Sequence, residues 1–224
     1  MSARPRESVC RADTFDLLPQ QYKSASLPRT GMDYALEVDD TETTVPGGTA
    51  VLLLHPSIGE TDRIDTDFLR RDTDSFLVVS TRTTAREVEQ KLEHYEVDES
   101  DAEILDTISV DRGYSRRGSD HLHYVSAPDD LDGVVSNVDA FLARHDGKRR
   151  ISVDSLTEMA YYADVDTVYD ATQELSDVLA DNDAVGLFHL SKEVHDEATL
   201  DRFRELFDGV IDLTDEGETT VTLP

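Results

Sequence analysis

The chemistry most legible in this chain lies in Thr49 to Arg63, TAVLLLHPSIGETDR. Ala50 to Leu54 is a short apolar run of the kind that forms a buried strand. A turn-like HPSIG follows, then a polar run able to open a helix. Strand, loop and helix start in that order match a phosphate-binding loop, G-x-x-x-x-G-K-[ST]. There, backbone N–H groups cradle phosphates, the lysine neutralises them and the hydroxyl holds Mg²⁺. Gly59 and Thr61 fit this pattern. Glu60 stands where the lysine belongs, and His55 followed by Pro56 opens the loop in place of glycine. Glu60 would repel phosphate, or fill the phosphate site itself through a salt bridge to Arg63 or Arg82. The bland reading is a solvated acid on a short loop.

A second candidate is Asp154, at the end of the apolar strand RRISVD. With Thr61 it could hold Mg²⁺, or it could merely cap the helix that follows. Other residues carry less. His121 and His123 alternate on a strand, but a metal pair needs further ligands. His189 and His195 flank a strand end and a helix start, and read as capping or core-edge histidines. Ser155 and Ser191 have no positioned His/Asp partners, and Tyr161–Tyr162 read as core or interface residues. No catalytic set and no protein-bound metal are expected.

These residues need elements to position them. Phe76–Ser80 (FLVVS), His121–Val125, Arg149–Asp154 and Ala184–Leu190 read as strands. Thr84–Tyr95 is an amphipathic helix, with Val88, Leu92 and Tyr95 on one face and a Thr84/Glu87 capping box. Helices are also predicted at 65–71, 129–145, 156–163, 165–179 and 196–207. Tyr34–Val38 alternates as an edge strand, Thr41–Gly48 reads as a turn region, and 101–110 is ambiguous. Val210–Leu213 and Thr219–Leu223 form a closing hairpin across Asp215-Glu216-Gly217. Alternating strands and helices argue for an α/β fold with a mostly parallel sheet, helices on both faces and a C-terminal β-hairpin. Two parts are expected: an N-terminal extension over 1–45, partly flexible, and one domain over 46–224.

The formal charge is −28, from 49 Asp and Glu against 21 Lys and Arg. The apolar strand runs argue against a disordered acidic chain. The abundance of Asp and scarcity of Lys resemble proteins of halophilic archaea, where an acidic surface keeps proteins hydrated in high salt. The basic clusters Arg116-Arg117 and Lys148-Arg149-Arg150 are short, so autonomous nucleic-acid binding is not expected. Cys10 is the sole cysteine, which excludes an intramolecular disulfide. No apolar run could span a bilayer and no secretory leader is visible, so a cytoplasmic location is expected.

RRISVDSLTEM, an apolar strand running into Asp-Ser-Leu and a helix, resembles the Walker B region of RecA/KaiC-like P-loop ATPases. VVSTRTTAREVEQKL and the stretch from AVGLFHLS to the last strand are similar to the same family, and the likeness covers about residues 46–224. It implies a RecA/KaiC-like core. It also implies an acid after the second strand to activate water, yet that turn is Ser80-Thr81-Arg82-Thr83-Thr84. The resulting expectation is a degenerate, inactive ATPase relative without cofactor. Its role would be regulatory or scaffolding, through a protein partner such as a RecA/KaiC-like homologue or a second copy of itself. The alternative is a residual ATP/Mg-binding protein, with Thr61 and Asp154 on the metal and Arg63 or Arg82 replacing the lysine.

Overall fold

A computed structural model describes residues 31–38, 41–57, 61–97, 100, 102–114, 119–214 and 216–224. Their compact unit spans Gly31–Pro224. The hairpin β1 (Asp33–Val38) and β2 (Thr41–Pro46), expected from sequence to belong largely to the extension, lies within that unit. Where a turn region was expected over 41–48, a strand runs to Pro46 and the turn is confined to Gly47 and Gly48. The β-branched residues of TETTV suit a pleated edge.

The eight-stranded sheet has the order β10-β9-β3-β8-β7-β4-β5-β6. It comprises β3 (Ala50–His55), β4 (Ser75–Ser80), β5 (Ala102–Asp106), β6 (Leu122–Tyr124), β7 (Arg149–Asp154), β8 (Val185–Ser191), β9 (Gly209–Leu213) and β10 (Thr219–Thr222). All pairings are parallel except the closing β9–β10 hairpin. The ambiguous segment 101–110 thus contains a parallel strand, paired on both sides and next to the edge strand β6. Strands β3, β4 and β8 are buried along their full length because helices cover both faces.

On one face lie α1 (Asp62–Arg70), α2 (Ala85–His94) and the β1–β2 hairpin, which bury Phe68, Leu69, Val88, Leu92, Tyr34 and Leu36 against Val51, Leu53 and Val78. On the other lie α3 (Leu131–Arg144), α4 (Leu156–Tyr162), α5 (Val165–Asp181) and α6 (Glu197–Arg204), packed on Leu52, Leu54, Leu77 and Val153. Each fully buried leucine of β3 contributes roughly 1.5–3 kcal/mol. The predicted capping box is present: Glu87 accepts from the Thr84 backbone N–H at 2.8 Å. Among the described residues no helix is long and apolar enough to cross a membrane.

Candidate functional site

Parallel strands deliver their carboxyl ends to one side of the sheet, where ligands of open α/β folds bind. Here the register sets His55 beside Ser191, and Ser80 beside both Asp154 and Asp106. Side chains alternate along a strand. His55, His189, Ser152 and Asp154 therefore share the face covered by α1 and α2. Below them that face is mostly apolar; at this end it is polar and buried.

Asp154 does not cap α4. Ser155 does, accepting from the Glu158 N–H at 3.4 Å. Freed of that role, Asp154 faces Arg82 from the turn after β4, whose Nη2 lies 2.8 Å from both carboxylate oxygens. Burial opposes the Arg82 charge, but the Asp154 carboxylate outweighs it and raises the guanidinium pKa.

One layer in, Asp65 projects from α1 and is buried. It accepts from Ser152 Oγ at 2.5 Å and from Lys91 Nζ at 3.0 Å. Lys91, reaching over from α2, also contacts Asp62 at 2.8 Å. Burial disfavours the Asp65 charge, yet Lys91, His189 and Ser152 together hold its carboxyl far below the usual range. The same pairing raises Lys91 against its own burial. His189 is fully buried, with Nε2 3.4 Å from Asp65 and its ring edge-on to His55 at 5.6 Å. His55 Nδ1 is 2.8 Å from the Pro56 carbonyl, so Nδ1 carries the proton and Nε2 is left without a partner. Burial keeps this ring neutral by lowering its pKa.

The loop residues Ile58, Gly59 and Glu60 lie outside the described residues, and with them the expected Glu60 salt bridge. Counting back from Gly59 sets the pattern's first glycine at Leu54, fully buried inside β3, with His55 one residue beyond. Pro56 and Ser57 follow His55, and Ser57 is held by Glu193 and Ser191. Thr61 occupies the N-cap position of α1 and is buried, with no side-chain capping bond. Arg63 is largely exposed and lies 3.5 Å from Asp67. The cations described around the loop, Arg63, Arg82 and Lys91, thus each face a carboxylate.

Asp65, Lys91, Ser152 and the inward His189 were not legible as site residues. An acid in a predicted helix and a lysine on an amphipathic one look like solvated charges. The only available signal was serine and histidine at core parity in otherwise apolar strands. The other histidines singled out have partners of their own: His123 binds Glu103 at 2.6 Å, a carboxylate it shares with His145, His121 contacts Ser119 at 2.6 Å, and His195 contacts Thr157 at 3.1 Å. Among the described residues no group of three or more His, Cys, Asp or Glu could hold a metal. Tyr161 and Tyr162, expected in core or interface, are exposed.

Comparison with known proteins supports the fold. A family model described as a family of unknown function, DUF7090, matches residues 32–223. No curated protein sequence matches. Among solved structures, a KaiC-like protein of the hyperthermophilic archaeon Pyrococcus horikoshii OT3 is similar at 15% identity and a TM-score of 0.53, over 79% of this chain and 77% of that one. A second protein of that organism is similar at 11% identity and a TM-score of 0.57, over 80% and 88%. A prototypical ATPase from the type III secretion system of pathogenic bacteria is similar at 14% identity and a TM-score of 0.55, over 77% of this chain. The chain spans about half of that ATPase, 53%. At these identities the likeness shows a shared RecA/KaiC-like α/β fold.

Proposed function

The chain belongs to DUF7090, a family of unknown function, and from that premise we propose that it is a catalytically silent relative of KaiC-like P-loop ATPases. Its degenerate loop would no longer bind nucleotide, and it would act as a regulatory or scaffolding partner of another protein, a KaiC-like homologue or a second copy of itself. The supporting observation is the double contact of Arg82 with Asp154 at 2.8 Å. Phosphoryl transfer needs a cation on the β/γ-phosphates and a free carboxylate near Mg²⁺. Here the carboxylate and its nearest cation neutralise each other, and Lys91 is held by Asp62 and Asp65. Glu60 in place of the lysine adds repulsion. The acidic composition supports a high-salt cytoplasm as the setting.

Calorimetry with ATP and ADP, in molar KCl with Mg²⁺, tests this reading on wild type and on Glu60→Lys with Arg82→Ala. No heat for wild type and saturable binding for the double variant is the expected pair of results. Micromolar ATP binding by wild type would overturn the proposal. It would favour a residual ATPase with Thr61 and Asp154 on Mg²⁺ and Arg82 in the lysine's role, for which Asp154→Asn is the control.

A further inference from the structure

Tyr161 and Tyr162 close α4, their rings edge-on at 5.2 Å. Tyr161 is 79% exposed, more than any other large apolar side chain described, and neither ring packs on the core of either sheet face. One turn earlier on α4, Thr157 anchors the segment after β8. Its Oγ1 lies 3.1 Å from His195 Nε2 and accepts from Ser191 N at 2.9 Å. Val194, next to His195, is also exposed. The two tyrosines and this valine therefore flank a fixed contact and form an apolar patch beside the sheet's carboxyl end. Glu158, on the same helix, lies near enough to Arg82 to raise its pKa, so the patch adjoins the Arg82–Asp154 pair.

The surface around this patch has one sign. Residues 156–181, which span α4 and α5, hold seven Asp and Glu and no Lys or Arg. Asp164 and Asp166 are exposed just after Tyr162, and Glu193, Asp196 and Glu197 are exposed around Val194. The neighbouring cations are engaged within the chain: Lys192 with Asp212 and the Leu213 carbonyl, Arg202 with Asp166, and Arg204 with Glu197 and Asp201. One of them shows how this surface takes a cation. Arg202 reaches from α6, pairs with Asp166 and sets its guanidinium 4.0 Å from the Tyr169 ring centre. A tyrosine and a carboxylate of α5 thus already hold one arginine. Tyr161 and Tyr162 present rings beside acids of the same stretch, with no described cation over them.

We propose, resting on the partner-protein reading above, that this patch docks a basic, arginine-bearing segment of the partner. The rings take the guanidinium and the aliphatic stem of an arginine, and the surrounding acids supply the opposite charge. Arginine suits the site better than lysine, because its planar, weakly hydrated group stacks on a ring and keeps that contact when salt screens charge. A second copy of this chain suits it less, since two chains of formal charge −28 repel each other.

The test is titration of the full chain with a short peptide alternating Arg and Gly, followed by backbone amide shifts at low and at molar KCl. The matching Lys/Gly peptide is a separate arm. The expected result is saturable shifts over 157–166 and 192–197, with the arginine peptide bound about threefold or more tighter than the lysine peptide in molar KCl. Tyr161→Ala combined with Tyr162→Ala should weaken the arginine peptide about fivefold or more, the loss of two stacking rings. That variant replaces exposed side chains with the best helix former, so folding is retained. Tyr114→Ala, at an exposed tyrosine elsewhere, should leave the affinity unchanged. Equal affinity for the two peptides in molar KCl, binding lost altogether there, or wild-type affinity in the double variant would overturn the proposal. So would dimerisation of the chain alone that the double variant abolishes, which would give the patch to a second copy. ATP binding at the loop would defeat the silent-ATPase reading and leave peptide binding at 157–166 standing, so the two can fail separately.

Discussion

Strand β7 carries a charge at each end, on the same face of the sheet, fully buried at the amino end and partly buried at the carboxyl end. At its amino end Arg150 is fully buried, with its guanidinium 5.2 Å from the Tyr34 ring centre and 5.0 Å from that of Phe68. It donates from Nη2 to the Ala35 carbonyl at 2.6 Å, while Nε and Nη1 have no partner. Burial pushes its pKa down to about 10. At the carboxyl end Asp154 meets Arg82, and one layer in Asp65 meets Lys91. The amino end tolerates a lone cation because a guanidinium is weakly hydrated and stacks on rings. There the charge works as packing, holding the hairpin on the sheet. The carboxyl end instead balances each described charge with an opposite one. One strand therefore separates a structural use of charge from the remains of a binding site.

The largest expected effect comes from breaking a pair. Asp65→Ala leaves the partly buried Lys91 with Asp62 alone and strands Ser152. We expect a loss of about 3–5 kcal/mol, read from chemical denaturation. Less than 1 kcal/mol would mean that the paired end is no more demanding than the unpaired one.

Next is Arg150. Arg150→Ala removes the side chain between Tyr34 and Phe68 and should cost about 2–4 kcal/mol through the cavity it leaves. Arg150→Met keeps the volume and removes a charge that has no carboxylate, so it should stay within about 1 kcal/mol of wild type. If Met proves as damaging as Ala, the charge itself matters and the packing account of this end fails.

The smallest effect is the pH dependence that the polar end contributes. His55 has a depressed pKa, so the unfolded chain takes up the proton first. Its contribution is full above about pH 6.5 and falls as the pH drops below that value. The Asp65 carboxyl is held below its unfolded value, so its contribution is full above about pH 3.9 and declines only as pH falls further. Urea midpoints should therefore decline in two stages on acidification, with His55→Gln shrinking the upper one, to which the half-buried ring of His195 adds. An unchanged upper stage in that variant would assign it to another group.

Much of this architecture was legible residue by residue. AVLLL and FLVVS read as strands because parallel strands covered on both faces need continuous apolar runs. TAREVEQKLEHY read as a helix because its apolar spacing and its cap agree. The hairpin was less legible: TETTVPGG mixes strand formers with turn residues, and its pairing with β1 decided the outcome. Segment 102–106 carries two acids in five residues, AEILD, which hides a buried strand. Those acids are accommodated by partners from elsewhere: Asp106 by backbone donors, and Glu103 by Arg144, His145 and His123.

The sequence by itself determined what local physics can determine. Apolar periodicity set the strands and helices, their alternation implied a parallel sheet, and Glu60 marked the loop as departing from a phosphate-binding one. Tertiary structure alone decided which charges meet. Arg82 and Asp154 are 72 residues apart, and Asp65 and Ser152 are 87. They meet because β4 lies beside β7 and because α1 crosses that face of the sheet. Strand order is a global property of the packed chain, set by how all the apolar faces are buried together. No short window of sequence carries it, so neither did any window show that the described cations around the loop already face carboxylates.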